Sequence, residues 1–68
     1  MAVLKVIEVL AQSDKSWEDA AQQAVAQASK SVHGIKSIYI KEMEATVEDN
    51  RIVTYRINGK VSFLIDGS

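Results

Sequence analysis

Apolar and polar positions follow two different periods along this chain, and the places where the period changes divide it into four elements. Val3-Leu4-Lys5-Val6-Ile7-Glu8-Val9-Leu10-Ala11 is rich in β-branched residues and too short for a stable helix, so it predicts a strand. Its odd positions (Val3, Ile7, Val9, Ala11) are apolar apart from Lys5, and its even positions (Leu4, Val6, Leu10) are apolar apart from Glu8. A strand in a small domain ordinarily keeps one wet face. This one has almost none, so its second face needs cover from elsewhere.

Gln12-Ser13-Asp14-Lys15 reads as a polar break, after which the period becomes helical. Ser16 begins a helix, with Asp19 three residues on as a capping-box variant and Glu18 also near the positive end of the dipole. Trp17, Ala20, Ala21, Ala24, Val25, Ala28 and Val32 form one apolar stripe, opposite Glu18, Gln22, Gln23, Gln27 and Lys30. A stripe of alanines lets a helix lie close to a sheet, with Trp17 as its one large packing anchor. His33-Gly34 supplies the stop, and Gly34 is the expected left-handed cap.

Ile35 to Glu48 reads as a second, long strand, with Ile38, Tyr39, Ile40, Met43 and Val47 supplying the β-formers. Asp49-Asn50 is the turn. From Arg51 to Ile65, Val53, Tyr55, Ile57, Val61, Phe63 and Ile65 share one face, against Thr54, Arg56, Asn58, Lys60, Ser62 and Asp66. Asn58-Gly59 is a hairpin signal inside this run. A two-residue turn there would set Ile57 opposite Lys60, Arg56 opposite Val61, Tyr55 opposite Ser62 and Thr54 opposite Phe63. Directly opposed side chains share a face, so neither face would be dry. One continuous strand is therefore predicted, with Gly59 marking a bend or bulge.

The order is strand–helix–strand–strand: an α+β fold, β-α-β-β, spanning residues 1–68 as one domain. The simplest sheet is three-stranded and antiparallel, with the last strand central and the helix packed on one face. One helix cannot cover strands of this length. A chain of 68 residues with no cysteine has no disulfide or thiolate metal site to reinforce a small core. A second copy of the chain is the remaining support, and a homo-oligomer is expected.

Charge and composition mostly exclude. Eight Lys and Arg against nine Asp and Glu leave a net charge of −1, which gives no basic field for nucleic acid or an anionic membrane. No apolar run approaches the length of a membrane span, and the first residues lack the features of a signal peptide. A cytoplasmic location is the expectation. One His, no Cys and no Gly-rich phosphate loop recommend no enzyme.

The element order, the Ser13-x-x-Ser16-Trp17-x-x-Ala20-Ala21 helix entry, Thr54-Tyr55-Arg56 and the Val61-x-Phe63-x-Ile65-Asp66 ending together resemble the dodecins. The resemblance covers essentially the whole chain, and it rests on the order and spacing of these parts. It implies a hollow twelve-subunit shell that binds and stores a small molecule without catalysis. In many dodecins that molecule is a flavin (riboflavin, FMN or FAD), stacked in pairs at subunit junctions. Some members bind coenzyme A.

The resemblance places the site at Ser37, Tyr39 and Arg56. Flavin-binding members carry a Trp early in the second strand and a Gln after the Tyr of the third; the matching positions here are Ser37 and Arg56. Losing an aromatic platform forfeits about 1 kcal/mol of stacking beyond area burial, and a guanidinium cannot accept as an amide does. Tyr39, two residues on and so on the same face as Ser37, offers partial compensation. The chain thus resembles the dodecins that lack the flavin-stacking Trp, and Arg56 suits a phosphate or carboxylate. Flavin storage is the first expectation. The alternative is a shell that binds Ca²⁺, Mg²⁺ or a phosphorylated ligand such as coenzyme A, or one that is purely structural.

Glu42, Glu44 and Glu48 share one face of the second strand, with Asp49 following, a row able to hold Ca²⁺ or Mg²⁺, especially where a symmetry axis brings copies together. Each of these residues also has a structural role open to it. Arg56 and the glutamates suit ion pairs with neighbours, Tyr39 suits a subunit interface, and His33 suits a helix-end loop.

Overall fold

The structure, a computed structural model, describes residues 3–65. Four elements follow one another: β1 (Leu4–Ser13), α1 (Trp17–Ala28), β2 (Ile35–Glu48) and β3 (Arg51–Leu64). The strands form one sheet in the order β1-β3-β2, antiparallel throughout. This is the predicted β-α-β-β arrangement with the last strand central. Asp66, placed by sequence at the end of β3, lies outside the described residues.

β1 runs two residues further than its apolar pattern, so Gln12 and Ser13 belong to the strand rather than to the break. Ser13 is buried and ties β1 to α1. Its Oγ donates to the Asp19 carboxylate at 2.6 Å and accepts the Lys15 N–H at 2.9 Å. Ser16 has extended backbone and caps the helix, its Oγ accepting the Asp19 N–H at 2.9 Å. In a reciprocal capping box the side chain of Asp19 would return to the cap. Here it turns to Ser13 and to the Gln23 side-chain amide, which donates at 2.6 Å.

The helix ends at Ala28, well before Gly34, so Gly34 does not cap it. Ser29, Lys30 and Ser31 close the helix with tight turns, and the Ser29 Oγ donates to the Ala26 carbonyl at 2.7 Å. Serine hydroxyls compete for backbone groups in this way and favour helix ends. Gly34 does take a left-handed conformation, φ 71°, but as the entry to β2, where its carbonyl accepts the Leu64 N–H at 3.1 Å.

α1 packs its small face on the sheet. Ala20, Ala24 and Ile57 form the buried cluster, with Val9, Ala11, Trp17, Ala21, Ile38 and Ile40 packed around it, and Val61 is fully buried. Trp17 is the expected anchor: its ring meets Tyr55 edge-on at 4.9 Å, and its Nε1 donates to the Glu44 carbonyl at 2.9 Å. Asp49 and Asn50 both have positive φ, 52° and 63°, which is the two-residue hairpin loop whose twist matches the flanking strands.

β3 passes straight through Asn58 and Gly59, as the register argument required. The irregularity lies opposite, in β2: Ile40 pairs with Gly59 and Glu42 with Asn58, so Lys41 is the extra residue. A Cβ on Gly59 would sit 3.0 Å from the Tyr39 carbonyl oxygen and 3.4 Å from Ile38 Cγ1. Gly59 therefore makes room for the bulge rather than forming it. Two more register shifts occur, between Ile35 and Ser37 and between Thr46 and Val47.

Candidate functional site

Sheet register decides which side chains share the face that α1 leaves open. Cross-strand partners lie on the same face. On the open face Ser62 stands opposite Ser37 and Val6, Lys60 opposite Tyr39 and Glu8, Asn58 opposite Glu42 and Leu10, and Arg56 opposite Glu44 and Gln12. Strict alternation would have put Ser37 and Tyr39 on the other face from Glu42 and Glu44. The extra residue Lys41 reverses the phase between them, so the aromatic position and the acidic row come to one surface.

That surface holds two distinct ends. Near one end, the Ser37 and Ser62 hydroxyls are hydrogen-bonded to each other at 2.5 Å. Arg56 is six strand positions from Ser62, about 20 Å away at the rise of an extended chain. Ser37, Tyr39 and Arg56 thus share a face but not a pocket within one chain. Tyr39, between the two ends, is 65% exposed.

At the other end, Arg56 is held from both sides. Its Nε donates to Gln12 Oε1 at 2.9 Å, and its Nη1 lies 3.5 Å from Glu44 Oε1. Both partners of the ion pair are solvent-exposed, so the pair contributes no more than about 1 kcal/mol and yields readily to a ligand or a subunit contact. Beside it runs a groove of about 340 Å³ lined by Leu10, Glu42, Met43, Glu44, Arg56, Ile57 and Asn58. The Asn58 Oδ1 is buried there with no hydrogen-bond partner.

The glutamate row does not converge in one chain. Glu48 pairs with Arg51 at the hairpin end, about 13 Å along the strand from Glu44. Among the described residues no three His, Cys, Asp or Glu side chains come together as a metal site. His33 lies exposed in the loop before β2. Sequence reasoning placed Asn58 on the Arg56 face of β3 but left Gln12 in the polar break after β1, and it did not bring Glu42 and Glu44 to the face of Tyr39. The first depends on how far β1 extends and the second on the bulge opposite Gly59, whose trace in the sequence is the shift of apolar positions from Ile38 and Ile40 to Met43, Ala45 and Val47 across Lys41.

The rest of the open face is apolar where β1 forms it: Leu4 is 51% exposed, Val6 52% and Leu10 80%. Together these features define a small α+β protein in which one sheet face is packed and the other, lined with both greasy and charged side chains, stands open. The Dodecin family profile matches residues 3–66, and the chain belongs to the dodecin family. It is similar to the calcium dodecin of Mycobacterium tuberculosis, with 41% identity over 63 residues, 93% of this chain and 89% of that protein.

A crystal structure of the M. tuberculosis calcium dodecin, described as a calcium-chelating antigen with a novel calcium-binding site, superposes with a TM-score of 0.81 at 39% identity. It covers 98% of this chain and 96% of that one. A Thermus thermophilus dodecin, solved as a mutant, gives 0.91 at 26% identity over 97% and 98% of the two chains. Members of the family are homo-oligomers, and known dodecins bind or store ligands rather than catalyse. Among the described residues no helix is long and apolar enough to cross a membrane.

Proposed function

We propose that this protein is a homo-oligomeric, non-catalytic binding protein whose ligand sites form where copies meet, and that its ligand is a divalent cation. The observation that carries the assembly is its surface. A compact monomer of this mass exposes about 4,200 Å², whereas this chain exposes 5138 Å². Its radius of gyration, 13.9 Å, also exceeds the ~11 Å of a compact domain of this length. A twelve-subunit shell of the dodecin type would bury that excess.

The cation is favoured over a flavin by three features. The glutamates of β2 share the open face with an unpartnered buried carbonyl oxygen, the flavin-stacking aromatic is absent, and the 41%-identical relative is a calcium dodecin. One chain supplies too few oxygens for Ca²⁺, which takes six to eight. Copies related by symmetry would supply the rest. Exposed Tyr39 supports flavin stacking as the second reading, with Arg56 available to a phosphate.

Native mass spectrometry with and without a chelator tests both parts at once. A multimer of about twelve chains that retains Ca²⁺ and melts at a lower temperature after EGTA supports the proposal, since a ligand bound only by the folded form stabilises it. Quenching of riboflavin or FMN fluorescence at micromolar protein, with no response to Ca²⁺ or Mg²⁺, would replace the cation by a flavin.

A further inference from the structure

Behind the open-face row of Gln12, Arg56 and Glu44 lies the next row of the sheet, Ser13, Tyr55 and Ala45, one residue along each strand and on the face that α1 covers. The first turn of α1 reaches all three strands at this level. The Asp19 carboxylate accepts from Ser13 of β1, and the Trp17 ring meets Tyr55 of β3 edge-on at 4.9 Å. On β2 the contact is with Glu44 itself: Trp17 Nε1 donates to its carbonyl oxygen at 2.9 Å. A residue whose carboxylate stands on the open face is thus held, through its own backbone, by a side chain of the helix.

β2 has need of such a support. It is an edge strand, paired to a neighbour on one side only, and its ladder is interrupted at Lys41, three residues before Glu44. Bulges bend a strand and raise its twist. Ile38 and Ile40 pack against the core before the bulge, whereas after it Met43 is 57% exposed and Val47 61%. Core packing therefore holds β2 less firmly at Glu44 than at Ile40, and the Trp17 bond falls in that weaker stretch.

We infer that Trp17 is a positioning residue for the cation site of the open face. Its bond to Glu44 and its contact with Tyr55 hold β2 and β3 at the spacing at which Glu44 exchanges Arg56 for a cation. The exposed Glu44–Arg56 pair, 3.5 Å apart, permits that exchange, and Gln12, 2.9 Å from Arg56 Nε, keeps the guanidinium in place when Glu44 turns away. Asn58 Oδ1, buried beside Glu42 and Glu44 with no hydrogen-bond partner, suits the same ion. Coupling between two sites is reciprocal, so whatever Trp17 contributes to cation binding returns as a change at Trp17 when the cation binds. This inference rests on the cation reading above and adds to it the residue of the covered face that sets the affinity.

Trp17 is the single tryptophan of the chain, so indole emission reports this residue alone. Adding Ca²⁺ to the EGTA-treated oligomer should change that emission with the same midpoint as Ca²⁺ retention in native mass spectra. Trp17→Phe keeps a ring against Tyr55 but has no donor for the Glu44 carbonyl. It should weaken Ca²⁺ binding about tenfold or more, the usual effect of removing a support behind a metal ligand, while native mass and circular dichroism stay those of the parent. Ca²⁺ binding that leaves the emission unmoved, or a Trp17→Phe oligomer that binds Ca²⁺ as tightly as the parent, overturns the positioning role and leaves the cation reading standing. Should the variant fail to assemble, the emission titration of the parent decides. A parent that retains no Ca²⁺ removes the cation reading itself, and the positioning role with it.

Discussion

Asp19 shows how much one side chain organises at the entry to α1. Its carboxylate accepts from the Ser13 hydroxyl and the Gln23 amide while its backbone N–H is capped by Ser16, so strand, turn and first helical turn meet at one group. The hydrogen bonds from Ser13 and Gln23, with the charge of Lys15 adding to them, hold its carboxyl below the usual aspartate value of 3.8. A carboxyl whose pKa is lower folded than unfolded contributes stability above the unfolded value and loses it as pH falls through the folded one. Urea midpoints should therefore fall as the pH drops from about 4. Asp19→Asn should be less stable at neutral pH and flatter over that acid range. An identical acid profile in the variant would show that Asp19 is not the group responsible.

Among the elements, β2 contributes most to the character of the site, because its irregularity sets what the open face displays. Lys41 is extruded, its Nζ comes within 3.8 Å of Glu8 Oε2 across the sheet, and the phase of β2 reverses around it. Gly59 on the neighbouring strand is the other half of this arrangement. A methyl group there would press on the Tyr39 carbonyl oxygen, a backbone atom that cannot rotate aside. Gly59→Ala should cost about 1–3 kcal/mol in denaturant unfolding, the range for overpacking a filled site. Retention of full stability would mean that the bulge is soft and does not fix the face of Tyr39.

β-Forming residues made β2 legible as a strand and the period-two pattern did so for β3, and the mixed pairs of a hypothetical Asn58-Gly59 turn ruled that turn out. The pattern could not locate the bulge. The apolar positions of β2 move from Ile38 and Ile40 to Met43, Ala45 and Val47 across Lys41, but with Tyr39 also apolar the shift is ambiguous until the partner strand defines which residue is extra. Ser37, Tyr39 and Arg56 were therefore legible as members of an exposed surface, but not their separation along it.

For the whole molecule, the dominant fact is exposed apolar surface on a thin, elongated chain of 51 × 20 × 13 Å. Leu10 is the most exposed of these side chains and borders the groove of Arg56, Glu44 and Asn58. Leu10→Asp would add a charge to the centre of any contact made by the open face. Size-exclusion chromatography with light scattering should then find smaller species than the parent forms at the same concentration. Unchanged mass would show that the open face faces solvent in the assembly.

Sequence by itself determined the element order, the antiparallel sheet with β3 in the middle, the cap at Ser16 and the anchor at Trp17. These follow from local periodicity and from pairings that only one register keeps dry. It also determined that the chain has more apolar surface than one helix hides, because both faces of β1 are greasy. Only the tertiary structure decided the end of α1 at Ala28, the bulge at Lys41 and the meeting of Tyr39 with Glu42 and Glu44 on one face. Helix ends and strand phase are settled by hydrogen-bond partners distant in sequence, and those partners exist only once the sheet has formed.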